Sequence, residues 1–156
     1  MSTRSIIAKQ NENGIGFTGT YHHLDGYPTG VGQLIAKGFK QGSWKYVDYV
    51  LKHNWSNLFE GICYCCGTMP DGRHDPYTTH TNDVDSWAEW AYVFGQLESI
   101  YDGTTADWMA IYYYAPEPEA EKFDPNYWKL VSTIILEDEL PDFSKLDNPK
   151  GAFFNN

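Results

Sequence analysis

Arginine is almost missing from this chain. Of its 156 residues only Arg4 and Arg73 carry a guanidinium, and 11 basic side chains face 21 acidic ones for a formal net charge of −10. A protein that wraps a phosphate backbone needs a basic stripe to displace counterions, so direct nucleic-acid binding is disfavoured. Anionic lipid headgroups would repel such a surface as well, and no apolar run is long enough to span a bilayer. Cysteine is limited to three residues, which cannot all pair within one chain; this argues against a secreted disulfide scaffold and for a reducing compartment. The opening from Met1 to Gln10 is polar where a secretory signal would be apolar, so the expected location is cytoplasmic. Walker, H-E-x-x-H and G-x-S-x-G motifs are missing too, which leaves nucleotide-hydrolysing readings without support.

Aromatic residues are abundant instead: 6 Trp, 12 Tyr and 8 Phe make up 17% of the chain, which suits a plain core with a wet rim as well as a core that opens onto a binding face. Residues 4–9 and 15–23 read as two strands joined through Asn13-Gly14, a pair that tolerates the positive φ of a tight turn. In the second strand Ile15, Phe17, Tyr21 and His23 form the set expected to face the core, and Thr18, Thr20 and His22 the other. Helical spacing of Val31, Leu34, Ile35 and Phe39 predicts a first helix up to Gly42, and Ser43 caps a second one running to Asn54. Residues 60–82 have no period and read as a long loop. Ser86 and Glu89 fit a capping box for a third helix, with Trp87, Trp90, Ala91, Phe94, Leu97 and Tyr101 on one stripe. Residues 108–114 and 127–136 are β-rich and predict a second hairpin. The expected fold is α+β, a single domain over residues 1–136 with an antiparallel sheet of about four strands and about three helices packed on one face; residues 137–156 form an acidic, irregular tail.

Three constellations could carry chemistry. Cys63 and Cys66 have the C-x-x-C spacing that aims two thiolates at one ion, and His74 and His80 follow as imidazole donors for a zinc tetrahedron; reduced, buried cysteines are the plain alternative. His22, His23 and Asp25 place a carboxylate near an imidazole, as a general base requires, although adjacent strand residues point to opposite faces and Asp25 equally suits a turn. Loss of Met1 would leave Ser2 with a free amine beside its hydroxyl, the arrangement of an N-terminal nucleophile.

The opening Met1-Ser2-Thr3-Arg4-Ser5-Ile6-Ile7-Ala8, followed by Tyr21-His22-His23-Leu24-Asp25-Gly26-Tyr27-Pro28 and Val31-Gly32, resembles a widespread group of small phage and prophage proteins. These begin MSTRS-x-IA and carry a Y-x-H-x-D-G-Y-P segment; the likeness spans residues 1–35 and is loose beyond. It implies phage accessory cargo in the cytosol of a bacterial host, and it transfers no catalytic residue. The expected function is a non-catalytic counter-defence inhibitor, anti-CRISPR-like. Its acidic, aromatic surface would occupy the basic nucleic-acid-binding surface of a host defence protein, without a cofactor. Tyr21, His22, His23, Asp25, Tyr27, Trp108, Tyr112 and Tyr114 are the expected contact residues. The alternative is a sponge for a nucleotide immune signal, in which rings stack the base and Arg4, Lys9, His22 or His23 hold the phosphates. A small hydrolase using His22 or His23 with Asp25, or a zinc protein built on the cysteine loop, is the third reading.

Overall fold

The structure is a computed structural model that describes residues 2–64 and 79–149. Its strands are β1 (Ser5–Gln10), β2 (Phe17–His22), β3 (Trp55–Asn57), β4 (Ile62–Cys63), β5 (His80–Thr81), β6 (Trp90–Glu98), β7 (Thr105–Tyr114) and β8 (Trp128–Ile135). All eight join one sheet in the order β4-β3-β2-β1-β6-β7-β8, with β5 paired to β2. The sheet is mixed: β1 runs parallel to β6 and β2 parallel to β3, while the other pairs are antiparallel. Pro28–Gly32 forms a single π-helical turn that feeds α1 (Gln33–Leu51).

The expected sheet of about four antiparallel strands under three helices is therefore corrected, among the described residues, to a mixed sheet of eight with one long helical segment and three short 3-10 turns. The two expected helices run together as α1, interrupted at Ser43, whose φ of 55° and ψ of −149° are not helical. The ring of Tyr46 lies over Gly38 and Gly42 around this break, so close that a Cβ on Gly38 would sit 2.3 Å from it. The expected third helix is the strand β6. Its residues 90–94 are apolar because both faces of the sheet are covered, and a continuous apolar run satisfies a helical template by chance. The hairpin of β7 and β8 agrees with the expectation for residues 108–136.

One face of the sheet carries the main core. Ile7, Tyr92, Phe94, Met109 and Ile111 meet Val31, Ile35, Phe39, Val47 and Val50 from the helical segment, with Phe39 stacked on Phe94 at 5.6 Å. Phe143 returns to this face after β8, and Asp147 accepts bonds from the backbone N–H (2.9 Å) and hydroxyl (2.6 Å) of Thr29. The hydroxyl of buried Tyr92 donates to Gly26 O at 2.6 Å, fastening the turn between β2 and α1 to the middle of the sheet.

The second face has a floor of small residues, Ala8, Gly19, Ala91, Gly95 and Ala110, overlain by Phe17, Trp108, Tyr112 and Trp128. Phe17 on β2 and Trp128 on β8 lie four strand spacings apart, about 19 Å in a flat sheet. Their ring centroids are nonetheless 5.9 Å apart, so the sheet curls over this face. Gly95 is required by that curl: a Cβ there would stand 2.0 Å from the Trp108 ring. Because both faces are covered, the set of β2 expected to point away from the core is also buried: Thr20 and His22 face the helical side, fully enclosed. Thr20 Oγ1 lies within bonding distance of His53 O and, at 2.7 Å, of Asn54 Oδ1, and its single proton is shared between these two acceptors.

Candidate functional site

Strand alternation decides which residues of the Tyr21–Asp25 segment can meet a ligand. Tyr21 projects from the curled face, in register with Ile6 and next along β2 from Gly19, which pairs with His80 on β5. At this end of the sheet a cleft of about 520 Å³ opens between the start of β1, the end of β2 and the turn before β6. Tyr21 lines it, with the His80 ring 5.8 Å away and the Tyr64 ring at 6.4 Å, inclined by 30°. The Tyr21 hydroxyl lies 2.8 Å from His23 Nδ1, and the nearby Arg4 guanidinium opposes the rise in its pKa that burial imposes. Burial also pushes the His80 pKa down, which keeps that imidazole neutral at pH 7.

Asn54, Ser86 and Trp87 complete the lining. The backbone N–H of Tyr21 (3.2 Å) and the Thr20 hydroxyl (2.7 Å) both reach Asn54 Oδ1. A backbone N–H can only donate, so the amide is fixed this way round and Nδ2 is the group it can offer the cleft. Trp87 is 75% exposed and Tyr64 56%. Trp87 also has a φ of 63°, in the left-handed region, where its N–H donates to Asp85 Oδ1 at 3.0 Å. That backbone costs a non-glycine residue about 1–2 kcal/mol, and the exposed indole returns nothing to the core. The replacement Trp87→Gly is therefore expected to raise stability by about 1 kcal/mol in urea unfolding while weakening any ligand held in the cleft. A loss of stability would show that the indole is structural.

In a chain with a net charge of −10, the described residues lining this cleft include Arg4 and no carboxylate. The lining is donor-rich: a guanidinium, an amide NH2 and a hydroxyl, set among rings. Its volume is within the range of small-molecule sites, and the arrangement suits a flat ligand with an acceptor-rich anionic end.

The other expected residues are spread over the molecule. His22 faces the opposite side from Tyr21 and is buried; its Nε2 accepts from the Leu58 N–H at 2.9 Å, and burial pushes its pKa down to about 4. Asp25 shapes a turn: its φ is 49°, its carbonyl accepts from Val31 N at 2.8 Å and its carboxylate from the Tyr27 hydroxyl at 3.1 Å. Tyr27 lines a separate cleft of about 360 Å³ with Trp90, Tyr113 and Asp147. Trp108 and Tyr112 lie over the small-residue floor of the curled face. Tyr114 stacks on Phe123 at 5.2 Å, and its hydroxyl accepts from Asp124 N at 2.9 Å.

Of the expected zinc ligands, Cys63 is buried in the main core beside Trp55, whereas His80 is on the curled face, so these two do not converge. Cys66 and His74 lie outside the described residues. Among the described residues no group of three His, Cys, Asp or Glu side chains could hold a metal, and no helix is long and apolar enough to cross a membrane. Asn54, Tyr64, Ser86 and Trp87 are missing from the expected contact set; the polar Asp85-Ser86 pair before an apolar run was the legible signal for Ser86 and Trp87 alone. The chain matches no family model, and no curated protein or solved structure is significantly similar to it.

Proposed function

We propose that the protein is a non-catalytic binder that sequesters a nucleotide-type signal in the Arg4 cleft. The observation that carries this reading is the lining itself: among the described residues, one guanidinium and no carboxylate, flanked by the exposed rings of Tyr64 and Trp87, on an acidic chain. Exposed rings stack a base, and donors grouped around an arginine take phosphate oxygens. The resemblance of residues 1–35 to phage proteins supports a counter-defence role for such a sponge in a bacterial host. Calorimetric titration with a panel of nucleotides is the test. At least one should bind and be recovered chemically intact after heat release, and Arg4→Ala should weaken it about tenfold or more. Binding unchanged in Arg4→Ala, or a converted nucleotide, would contradict the proposal.

The blocking of a host defence protein is the second reading, favoured by the turn between β6 and β7. Ile100 and Tyr101 are 90% and 92% exposed there, between Glu98 and Asp102. The turn is held by Ser99 N to Thr104 O and Gly103 N to Ser99 O, at 2.8 and 3.1 Å. An ordered apolar tip with acidic flanks suits a partner pocket with a basic rim.

A further inference from the structure

The charge of the cleft selects among nucleotides. Arg4 is the only permanently charged side chain among the described residues that line it, His80 is neutral at pH 7, and the remaining donors are the Asn54 amide, the Ser86 hydroxyl and the Tyr phenols. One cation balances one negative charge. A terminal phosphate monoester carries nearly two at neutral pH and a triphosphate still more, and each extra charge would enter the field of a chain with a net charge of −10. A phosphodiester carries one. Its two non-bridging oxygens match what the cleft offers, a guanidinium and a fixed amide NH2. The volume of about 520 Å³ is of the size expected for a small-molecule ligand site.

We infer that the Arg4 cleft takes a cyclic nucleotide, through a singly charged phosphodiester held by Arg4 and the Asn54 amide with its base against Tyr64 or Trp87, in preference to linear nucleotides bearing terminal phosphates. This rests on the cleft being the ligand site, and the two claims fail differently. The probes are the 3′,5′-cyclic and the 5′-linear monophosphates of the four common nucleosides, titrated calorimetrically against the whole chain at pH 7.5 without divalent metal. The tightest cyclic form should bind at least about fivefold more tightly than its linear counterpart, the effect of one unbalanced charge at contact distance in water. Ser86→Lys adds a second cation at the rim and should erase or reverse that ratio. A linear form that binds as well as its cyclic counterpart while still depending on Arg4 overturns this inference and leaves the cleft reading standing, as does a ratio unmoved by Ser86→Lys. Binding of either form that ignores Arg4→Ala, or no binding by any of the eight compounds, overturns both.

Discussion

Replacing Trp55 with alanine should cost about 3–5 kcal/mol of folding stability, the range for deleting a fully enclosed large ring. Trp55 has no exposed surface and ties three parts of the fold together. Its backbone pairs β3 with His22 of β2 and with Cys63 of β4. Its indole N–H donates to Val50 O at 2.9 Å, adding to the 3.3 Å bond that this last-turn carbonyl of α1 accepts from the His53 N–H. Its ring lies 5.6 Å from that of Tyr49 and 5.1 Å from that of His53. The melting temperature is expected to fall by about 10 °C or more in calorimetry. Trp55→Phe keeps most of the ring and removes only the shorter of two bonds to Val50 O, which still accepts from the His53 N–H at 3.3 Å, so it should cost a smaller part of the total. A shift of only a degree or two for Trp55→Ala would mean that this edge of the sheet is not integral to the fold.

Mild acid should destabilise the protein through His22. Burial lowers its folded pKa from 6.5 to about 4, so the unfolded chain takes up a proton in a range where the folded chain does not. Stability is therefore unaffected above about pH 6.5, declines as the pH falls towards 4, and has lost on the order of 3 kcal/mol once both states are protonated. His80, also lowered by burial, acts in the same direction. Urea unfolding at pH 7, 6 and 5 reads this slope before carboxylates titrate. His22→Gln keeps an acceptor for the Leu58 N–H without a group that titrates, so it should flatten most of the slope. A variant with the parent's slope would assign the acid sensitivity elsewhere.

How far the fold was legible depended on whether a segment had one face covered or two. The β1–β2 hairpin was readable because Asn13-Gly14 supplies local turn chemistry: Asn13 Oδ1 accepts from Ile15 N at 2.9 Å, and Gly14 has a φ of 77°. The Asp25-Gly26 turn was readable for the same reason. β6 was not, because Trp90 to Phe94 is apolar at every position and has no period to arbitrate between strand and helix. Gly95, poor in a helix interior, was the residue that argued for the strand it occupies. The same ambiguity hid the site: a helical stripe assigned Trp87 to the core, although its left-handed backbone turns it outward. Alternation put Tyr21 and His23 on one face but as a core-facing set, whereas Tyr21 lines the cleft and His22 is the enclosed residue; Asn54 and Tyr64 enter the cleft through long-range pairing that no local pattern encodes.

The central claim is that an acidic chain keeps an arginine-bearing cleft, free of carboxylates among its described lining residues, for a small anion. Its most direct test is a heteronuclear NMR titration of the labelled protein with the tightest-binding nucleotide of the panel. The account predicts shifts concentrated at Arg4, Tyr21, Asn54, Tyr64, His80, Ser86 and Trp87, with the Trp87 indole among the largest and the Ile100-Tyr101 tip unmoved. Shifts centred on the tip or on the Tyr27 cleft, with Arg4 and Trp87 silent, would contradict it.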